Sequence, residues 1–149
     1  MELSEVQSIR GFKIAARRAV ADRILESRLN AFNELNHVLT VTPAWVVSRI
    51  ATDVRNRPSV AEFLNKVGEM GSILDKNSLH CPRNFRLSYR ELISAMMTLG
   101  HNWEDGPAMD VNDDFIRDIN NRTGFLLQEI NGMYLRLPDD ITDMVVGRE

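Results

Sequence analysis

The chain contains a single cysteine, Cys81, and this scarcity excludes several classes of protein. One thiol cannot form an intrachain disulfide or a thiolate-rich zinc site, and the composition fits a reducing compartment. No apolar run approaches the ~20 residues that a membrane helix needs. The N-terminal stretch MELSEVQSIR is acidic and polar, whereas a signal peptide is first basic and then apolar. We therefore expect a soluble cytoplasmic protein that does not associate with a membrane.

Motifs that carry catalytic or cofactor chemistry are also missing. The eight glycines form neither a phosphate-binding loop nor a dinucleotide-binding fingerprint. The neighbours His80 and Cys81 have no evident third group to orient them as a nucleophilic pair. A calcium-loop pattern begins at Asp110 but fails, because Phe115 and Asn121 replace its glycine and its final glutamate. We predict a non-enzymatic protein with no catalytic residue, no metal site and no cofactor.

One loop supports an enzymatic hypothesis. In the stretch GHNWEDGP, His101 is followed by Glu104 and Asp105, and a histidine with two carboxylates can act in general acid–base chemistry. A solvated turn that ends in Gly-Pro has the same composition. A small hydrolase that uses residues 101–105 is therefore the least favoured of three functional hypotheses, and it predicts a concave pocket at this loop.

The overall composition is that of an ordinary globular chain. With 149 residues, of which 44% are hydrophobic and 26% charged, the chain suits one domain over residues 1–149. Its cations are unusual in kind, because 15 are arginine and three are lysine. The planar guanidinium suits bidentate or partly desolvated contacts, although a genomic bias would produce the same count.

Helical patterns dominate the chain. Apolar residues recur with the 3.6-residue period of a helix in three stretches, at 60–74, 92–99 and 115–130. Ser59 and Ser88 each begin a capping box, and Thr42-Pro43 supplies an N-cap followed by proline at the first helical position. A last short helix is predicted over PDDITDMVV. We predict a single-domain, all-α bundle of five or six helices.

The segment FLLQEINGMYLRL, residues 125–137, is compatible with two structures. Asn131-Gly132 between two apolar runs is a strong signal for a β-hairpin. Alternation within the runs is poor, however, and the helical pattern extends back to Phe115. We therefore favour a helix over a small hairpin at 125–137.

The N-terminal helix is predicted to be long, and its apolar face changes direction along its length. At about 100° per residue, the first apolar face contains Ile9, Phe12, Ala16, Ala19 and Val20, and we expect it to be buried. From Ile24 to Leu39 the apolar face is centred roughly 150° away. Either the helix breaks near residues 20–24, or one long helix packs against different partners at its two ends.

Basic residues concentrate in the same helix, in the stretch RGFKIAARRAVADR at 10–23. Arg18 and Arg23 each have an acidic residue one turn further on, and such pairs leave little free charge for a ligand. Arg10, Lys13 and Arg17 lie within roughly 60° of one another and have no such neighbour. These three residues form a secondary basic stripe, which is either a solvated face or a surface for phosphates or a partner.

The stretch TPAWVVSRIATDVRNR is the main predicted partner-binding segment. One side of this helix is apolar, and the opposite side carries Trp45, Ser48, Arg49, Thr52, Arg55 and Asn56. Tryptophan and arginine are enriched at interface hot spots, whereas a large aromatic normally lies inside a protein. This Trp45 face therefore indicates a contact in which the indole inserts into a partner's pocket, unless another part of the chain covers the ring.

Two further functional hypotheses follow from these surfaces. The preferred one is a protein–protein interaction, assembly or regulatory component that binds a protein partner or self-associates. The alternative is a DNA- or RNA-binding protein, because the helix to Leu39, the turn TVT and the helix after Pro43 have a helix-turn-helix-like spacing. In that case the Trp45 face and the basic stripe would contact bases and phosphates.

Overall fold

A computed structural model describes residues 2–50, 58–101 and 109–147. These ranges contain four α-helices, which are α1 (Glu2–Ile50), α2 (Val60–Asn77), α3 (Arg83–His101) and α4 (Met109–Val146). A single 3-10 turn, Ser78–His80, connects α2 to α3. The described ranges contain no strand. The predicted all-α class is confirmed, but the described part of the chain has four α-helices and not five or six.

Successive helices run antiparallel. Between α1 and α2, the Lys76 ammonium donates to Glu34 at 3.1 Å, whereas the ring of Phe63 lies 6.1 Å from that of Trp45. Residue numbers therefore rise in one helix as they fall in the other. α2 and α3 are joined by the ion pair Arg90–Asp75 and by the hydrogen bond from Tyr89 to Met70. The ion pair Arg122–Glu91 joins α3 and α4. α1 and α4 are joined by the ion pair Arg28–Asp140 and by the hydrogen bond from Tyr134 to Asn33. The four described helices form an up-and-down bundle.

The hydrophobic core lies where all four helices overlap. Its largest fully buried side chains come from every helix and are Leu35, Leu39, Phe63, Met70, Leu74, Phe85, Tyr89, Leu92, Met96, Ile119, Leu126 and Ile130. The one hydroxyl among them is satisfied, because Tyr89 donates to the Met70 carbonyl at 2.7 Å. Within each helix these positions are three, four or seven residues apart, as the helical periodicity of the sequence predicts.

α1 is one uninterrupted helix, which confirms the predicted long N-terminal helix, decides between the two alternatives left open for residues 20–24 and corrects the expected helix start at Pro43. It does not break near residues 20–24, and it does not restart at Pro43, which lies inside the helix. A proline in a helix interior costs about 3 kcal/mol. Here Thr42, Val46 and Ile50 are buried around it, and this packing offsets the local penalty. The helix-turn-helix-like spacing is therefore not formed, because residues 40–42 belong to α1.

α4 is also continuous, and it passes through both Asn131-Gly132 and Pro138. The hairpin at 125–137 is therefore excluded and the favoured helix is confirmed. The predicted last short helix is the end of α4 and not a separate element. Ile130, Met133 and Leu137 are all buried, so burial of the helical stripe prevails over the local turn signal.

Only one of the two capping boxes marks a helix start. Ser59 is the N-cap of α2, and its side chain accepts a hydrogen bond from the Glu62 amide at 3.2 Å. Ser88 instead lies inside α3, which begins at Arg83. Phe85 is buried in the core, and its packing explains why the helix starts earlier than the local signal indicates.

α1 is much longer than the bundle that it helps to form. The connection between α2 and α3 lies beside Arg28, because His80 and Pro82 line one small cavity with that residue. α4 reaches further, to Gly147, which lies against the guanidinium of Arg17. The helix before residue 16 therefore extends beyond the end of α4 by about 20 Å, at a rise of about 1.5 Å per residue.

Candidate interaction surface

The N-terminal segment, which we define as residues 5–24 of α1, exposes large apolar side chains to solvent. Every residue from 5 to 20 is exposed, which corrects the expectation that the first apolar face is buried. Val6, Ile9, Phe12, Ile14 and Val20 are each between 48% and 77% exposed, with Phe12 the most exposed of them. These side chains are exposed because α4 ends beside Arg17, and no other described helix packs along the part of α1 that precedes this point.

Two of these exposed residues, Phe12 and Val20, lie on one apolar line along the helix together with Ala16 and Ile24. Phe12, Ala16, Val20 and Ile24 follow one another at intervals of four residues, and such neighbours lie about 5–6 Å apart on a helix surface. Each step rotates the line by about 40°, so it turns gradually from the solvent side towards α4. Ile9 lies beside Phe12 at the outer end of this apolar line. The line therefore joins the exposed part of α1 to the part that packs.

A groove receives the inner end of the apolar line. Its volume is about 490 Å³, and its lining residues are Ala16, Arg17, Val20, Ala21, Ile24, Met144 and Gly147. We call it the end groove, because it lies where α4 ends against α1. Gly147 follows the last turn of α4 with a φ of 75°, a left-handed conformation that commonly ends helices. The lining is mainly aliphatic, so the end groove is suited to an apolar side chain.

Arg17 occupies a specific place at this groove. A Cβ atom at Gly147 would lie only 3.2 Å from Nη1 of Arg17, so the guanidinium sits directly over the C-terminal end of α4. The last carbonyls of a helix carry partial negative charge, and a cation there is favourable. Arg17 therefore has a structural role in addition to its membership of the predicted basic stripe.

The remaining basic residues of the segment are all solvent-exposed. Arg10 and Lys13 are exposed, as the stripe predicted. Arg18 and Arg23 were expected to pair with Asp22 and Glu26, but neither forms an ion pair among the described residues. The exposed positive charge of the segment is therefore larger than the sequence indicated.

Trp45 is half-buried and belongs to the packing between α1 and α2. Its ring lies 6.1 Å from that of Phe63, at an interplanar angle of 33°. The Arg49 guanidinium and the Lys66 ammonium each lie 5.9 Å from the indole centroid, within the range of a cation–π contact. The ring is therefore covered in part by another part of the chain, namely α2.

The other members of the Trp45 face are only partly within the described structure. The Ser48 hydroxyl donates to the Trp45 carbonyl at 2.7 Å, back into its own helix. Thr52, Arg55 and Asn56 lie outside the described residues. The stripe at 10–17 and Trp45 are separated by about 40 Å along α1, so they do not form one surface.

Cys81, which the sequence places beside His80 as a possible nucleophile, has an unreactive environment. Cys81 is buried, and its Sγ donates to the Asn77 carbonyl at 3.4 Å. Burial raises the pKa of this thiol to about 11, and the nearby Arg86 lowers it only in part. His101 ends α3, while Glu104 and Asp105 lie outside the described residues. Within the described ranges no group of three or more potential ligand residues is placed to hold a metal ion.

The end groove is the feature that sequence reasoning missed. Its second wall comes from Met144 and Gly147, more than a hundred residues away from the first wall, and no local pattern links the two. One signal did point to this place. The apolar face of α1 changes direction near residues 20–24, and this is where α1 begins to pack against α4.

Neither the helices nor similarity to known proteins points to a particular function. No helix of the described ranges has the length and the apolar content that are needed to cross a bilayer. Comparison of the chain with models of protein families, with curated proteins and with solved structures finds no match.

Proposed function

We propose that this protein is a non-enzymatic protein–protein interaction or assembly component, and that the N-terminal segment is its contact surface. The observation that carries the proposal is the exposure of Phe12, at 77%, on a helix that also exposes Ile9 and Val20. Contiguous exposed apolar surface of this kind is typical of interaction sites.

The energetics of the segment support a bound partner. An isolated helix shorter than about 12–15 residues is marginal in water, and most helical stability comes from packing of an apolar face. Residues 5–15 extend beyond the end of α4 without such packing. A partner that covered the Phe12 side chain would contribute about 1.5–3 kcal/mol from this residue alone.

The composition of the segment favours a protein surface as the partner. An apolar line flanked by arginine resembles the anatomy of protein interfaces, in which apolar anchors are surrounded by a polar rim. The Trp45 face remains a second predicted contact. Its half-buried ring already stabilises the packing of α1 on α2, and a partner would reach only the other side of it.

A photo-crosslinking experiment tests the proposal. A benzoyl-phenylalanine placed at position 12 in the source cell is expected to form covalent adducts with protein. The same probe at position 135 is the matched control, because Leu135 is 80% exposed and lies on α4, outside the segment. Equal yields at the two positions, or no protein adduct at position 12, would contradict the proposal.

Nucleic-acid binding is the alternative that the exposed cations of the segment support. If Arg10, Lys13, Arg17, Arg18 and Arg23 contacted phosphates, affinity for duplex DNA would fall with salt, by about 0.9 in log–log slope per phosphate neutralised. We expect no such binding, because the apolar line would remain exposed beside the phosphates. An electrophoretic shift that weakens steeply with added salt, and is lost in a variant with these arginines changed to glutamine, would establish the alternative.

A further inference from the structure

We infer that the N-terminal segment binds an acidic segment of another protein, which continues the path of α4 along α1. This partner places carboxylates on Arg10 and Lys13 and one apolar side chain in the end groove. The inference rests on the proposed function, since it names the chemistry of the partner that the same segment binds.

The basic stripe lies on the side of α1 that faces the bundle core. At about 100° per residue, the buried residues Ala31, Leu35 and Val38 have a mean direction that differs from that of the stripe by roughly 30°. The residues that α1 contributes to the end groove have a mean direction only about 20° from the stripe. All three sets therefore lie on one side of the helix, which α4 covers only as far as Arg17.

Within the bundle, α4 supplies negative charge to the cations on this side of α1. Arg28 lies within about 30° of the mean direction of the stripe, and its Nη1 is 3.8 Å from Oδ2 of Asp140. Nη1 of Arg17 is 3.2 Å from the position that a Cβ at Gly147 would take, so it faces the last carbonyls of α4. Both cations are therefore matched by the helix that covers them.

Arg10 and Lys13 continue the same side of α1 beyond the end of α4. Both are exposed, and neither forms an ion pair among the described residues. The acids of the segment point elsewhere, because Glu5 and Asp22 lie about 110° and 150° from the mean direction of the stripe. A partner that covers this side must therefore bring its own negative charge.

Apolar positions lie on both sides of these two cations. Val6 is 48% exposed and lies at the outer end of the same side, and the end groove lies at the inner end. From Arg10 to Val20, which lines the groove, the distance along the helix axis is about 15 Å. A short segment that combines an apolar anchor with nearby carboxylates spans this distance.

The shape of the site favours a protein segment over a lipid surface. Phe12 points about 130° away from the basic stripe, so a flat bilayer that buried this ring would leave the end groove unfilled. The groove has a volume of about 490 Å³ and a mainly aliphatic lining. A protruding side chain fills such a concave site, and the carboxylates beside it neutralise the stripe.

Photo-crosslinking at the groove tests the inference on the full chain. Benzoyl-phenylalanine at position 20, in the source cell, is expected to form adducts with another protein, and mass spectrometry then identifies the crosslinked peptide. We expect this peptide to carry a net negative charge, with two or more carboxylates within about ten residues of the attachment point.

Charge variants show whether the carboxylates are recognised. A chain with both Arg10→Glu and Lys13→Glu should bind a synthetic peptide of the crosslinked sequence at least about 10-fold more weakly in fluorescence anisotropy, because like charges then face each other. Lysine in place of the peptide's carboxylates should restore this affinity. Arg10→Lys with Lys13→Arg should bind like the wild type.

Arg18→Glu with Arg23→Glu is the matched control. It changes the net charge by the same amount, but both residues point about 110° away from the stripe, so the affinity for the peptide should change little. Arg17 is kept in every variant because it also lies against the end of α4. Unaltered helix content by circular dichroism shows that the variants fold.

Several results would overturn the inference. These are a crosslinked peptide without an excess of acidic residues, attachment to a second copy of this chain, adducts with lipid alone, and equal losses of affinity in the Arg10, Lys13 variant and its control. If position 12 yields protein adducts and position 20 yields none, the inference is wrong and the proposed function stands. If neither position yields a protein adduct, the proposed function is wrong as well.

Discussion

The surroundings of single side chains determine what they can do in this protein. Cys81 donates to a backbone carbonyl within the bundle, and desolvation keeps its thiol protonated. Burial likewise raises the pKa of Tyr89, whose hydroxyl is held by the Met70 carbonyl. Phe12 is the opposite case, because this large apolar side chain has no covering residue in the part of the chain that the structure describes. The two polar groups are structural, and the apolar one is the candidate for binding.

The pKa of Cys81 leads to a prediction at this scale. With a value of about 11 against the ordinary 9.0, the native thiol should react with a disulfide reagent at pH 8 about 100-fold more slowly than an exposed cysteine. The matched control is Leu79→Cys in a Cys81→Ala background, because Leu79 is 97% exposed. Stopped-flow absorbance measures both rates, and equal rates in the native state would show that Cys81 is accessible.

The same shift makes stability depend on pH in a defined direction. The folded state holds the thiol proton more tightly than the unfolded state does, so the stabilisation is complete below pH 9 and is lost as pH rises towards 11. The free energy of unfolding should therefore fall with pH over this window in the wild type. In the Cys81→Ala variant the free energy of unfolding should fall less steeply with pH. An identical pH dependence in the two proteins would show that the Cys81 thiol does not cause the loss of stability.

At the scale of the element, α1 is held together by what it packs against. Its local signals favour a helix start at Thr42-Pro43 and a change of face near residue 20. The helix nevertheless runs without a break from Glu2 to Ile50. Continuity is favoured because the residues around Pro43 are buried against the bundle, so a turn there would expose core side chains.

Replacement of Pro43 tests this continuity. Inside a helix, Pro43→Ala restores the amide that donates to the Leu39 carbonyl, so we expect the free energy of unfolding to rise by about 1–3 kcal/mol in urea denaturation. If Pro43 were instead the first residue of a new helix, Pro43→Ala would leave the free energy of unfolding unchanged or lower it, because proline is favoured at that position. Ala44→Pro, at an exposed neighbouring position, should destabilise the protein strongly.

At the scale of the whole molecule, the bundle and the projecting part of α1 have separate roles. The core is built from all four described helices, whereas residues 5–20 contribute no buried side chain to it. This separation explains how a stable fold can carry an exposed apolar helix. The bundle anchors α1 over more than twenty residues and leaves its N-terminal segment exposed to solvent.

A truncation tests whether the stability of the bundle is independent of the projecting part of α1. Removal of residues 1–15 should change the free energy of unfolding of the monomer by less than about 0.5 kcal/mol, because no buried contact is lost. Leu35→Ala, in the core, should cost about 2–5 kcal/mol in the same urea titration. Unfolding of the truncated chain at markedly lower urea would show that the projecting part of α1 packs on the bundle after all.

Much of the fold was within reach of sequence reasoning, and most of the site was not. The capping box at Ser59 and the apolar period of α2 predicted that helix closely, because both signals are local and agree with each other. The signals at Ser88, Asn131-Gly132 and Pro43 were equally clear but misleading, since burial prevails over local preference in the middle of a packed bundle.

Composition and periodicity alone indicated that the chain is helical, that it cannot form an intrachain disulfide and which side of each helix is apolar. Periodicity reports these properties because it depends on residues three or four positions apart. Which apolar faces are covered follows from the packing of the helices, because coverage depends on where a helix distant in sequence ends. α4 stops beside Arg17, and for this reason Phe12 is exposed, Met144 walls a groove, and the half-buried Trp45 lies far from both.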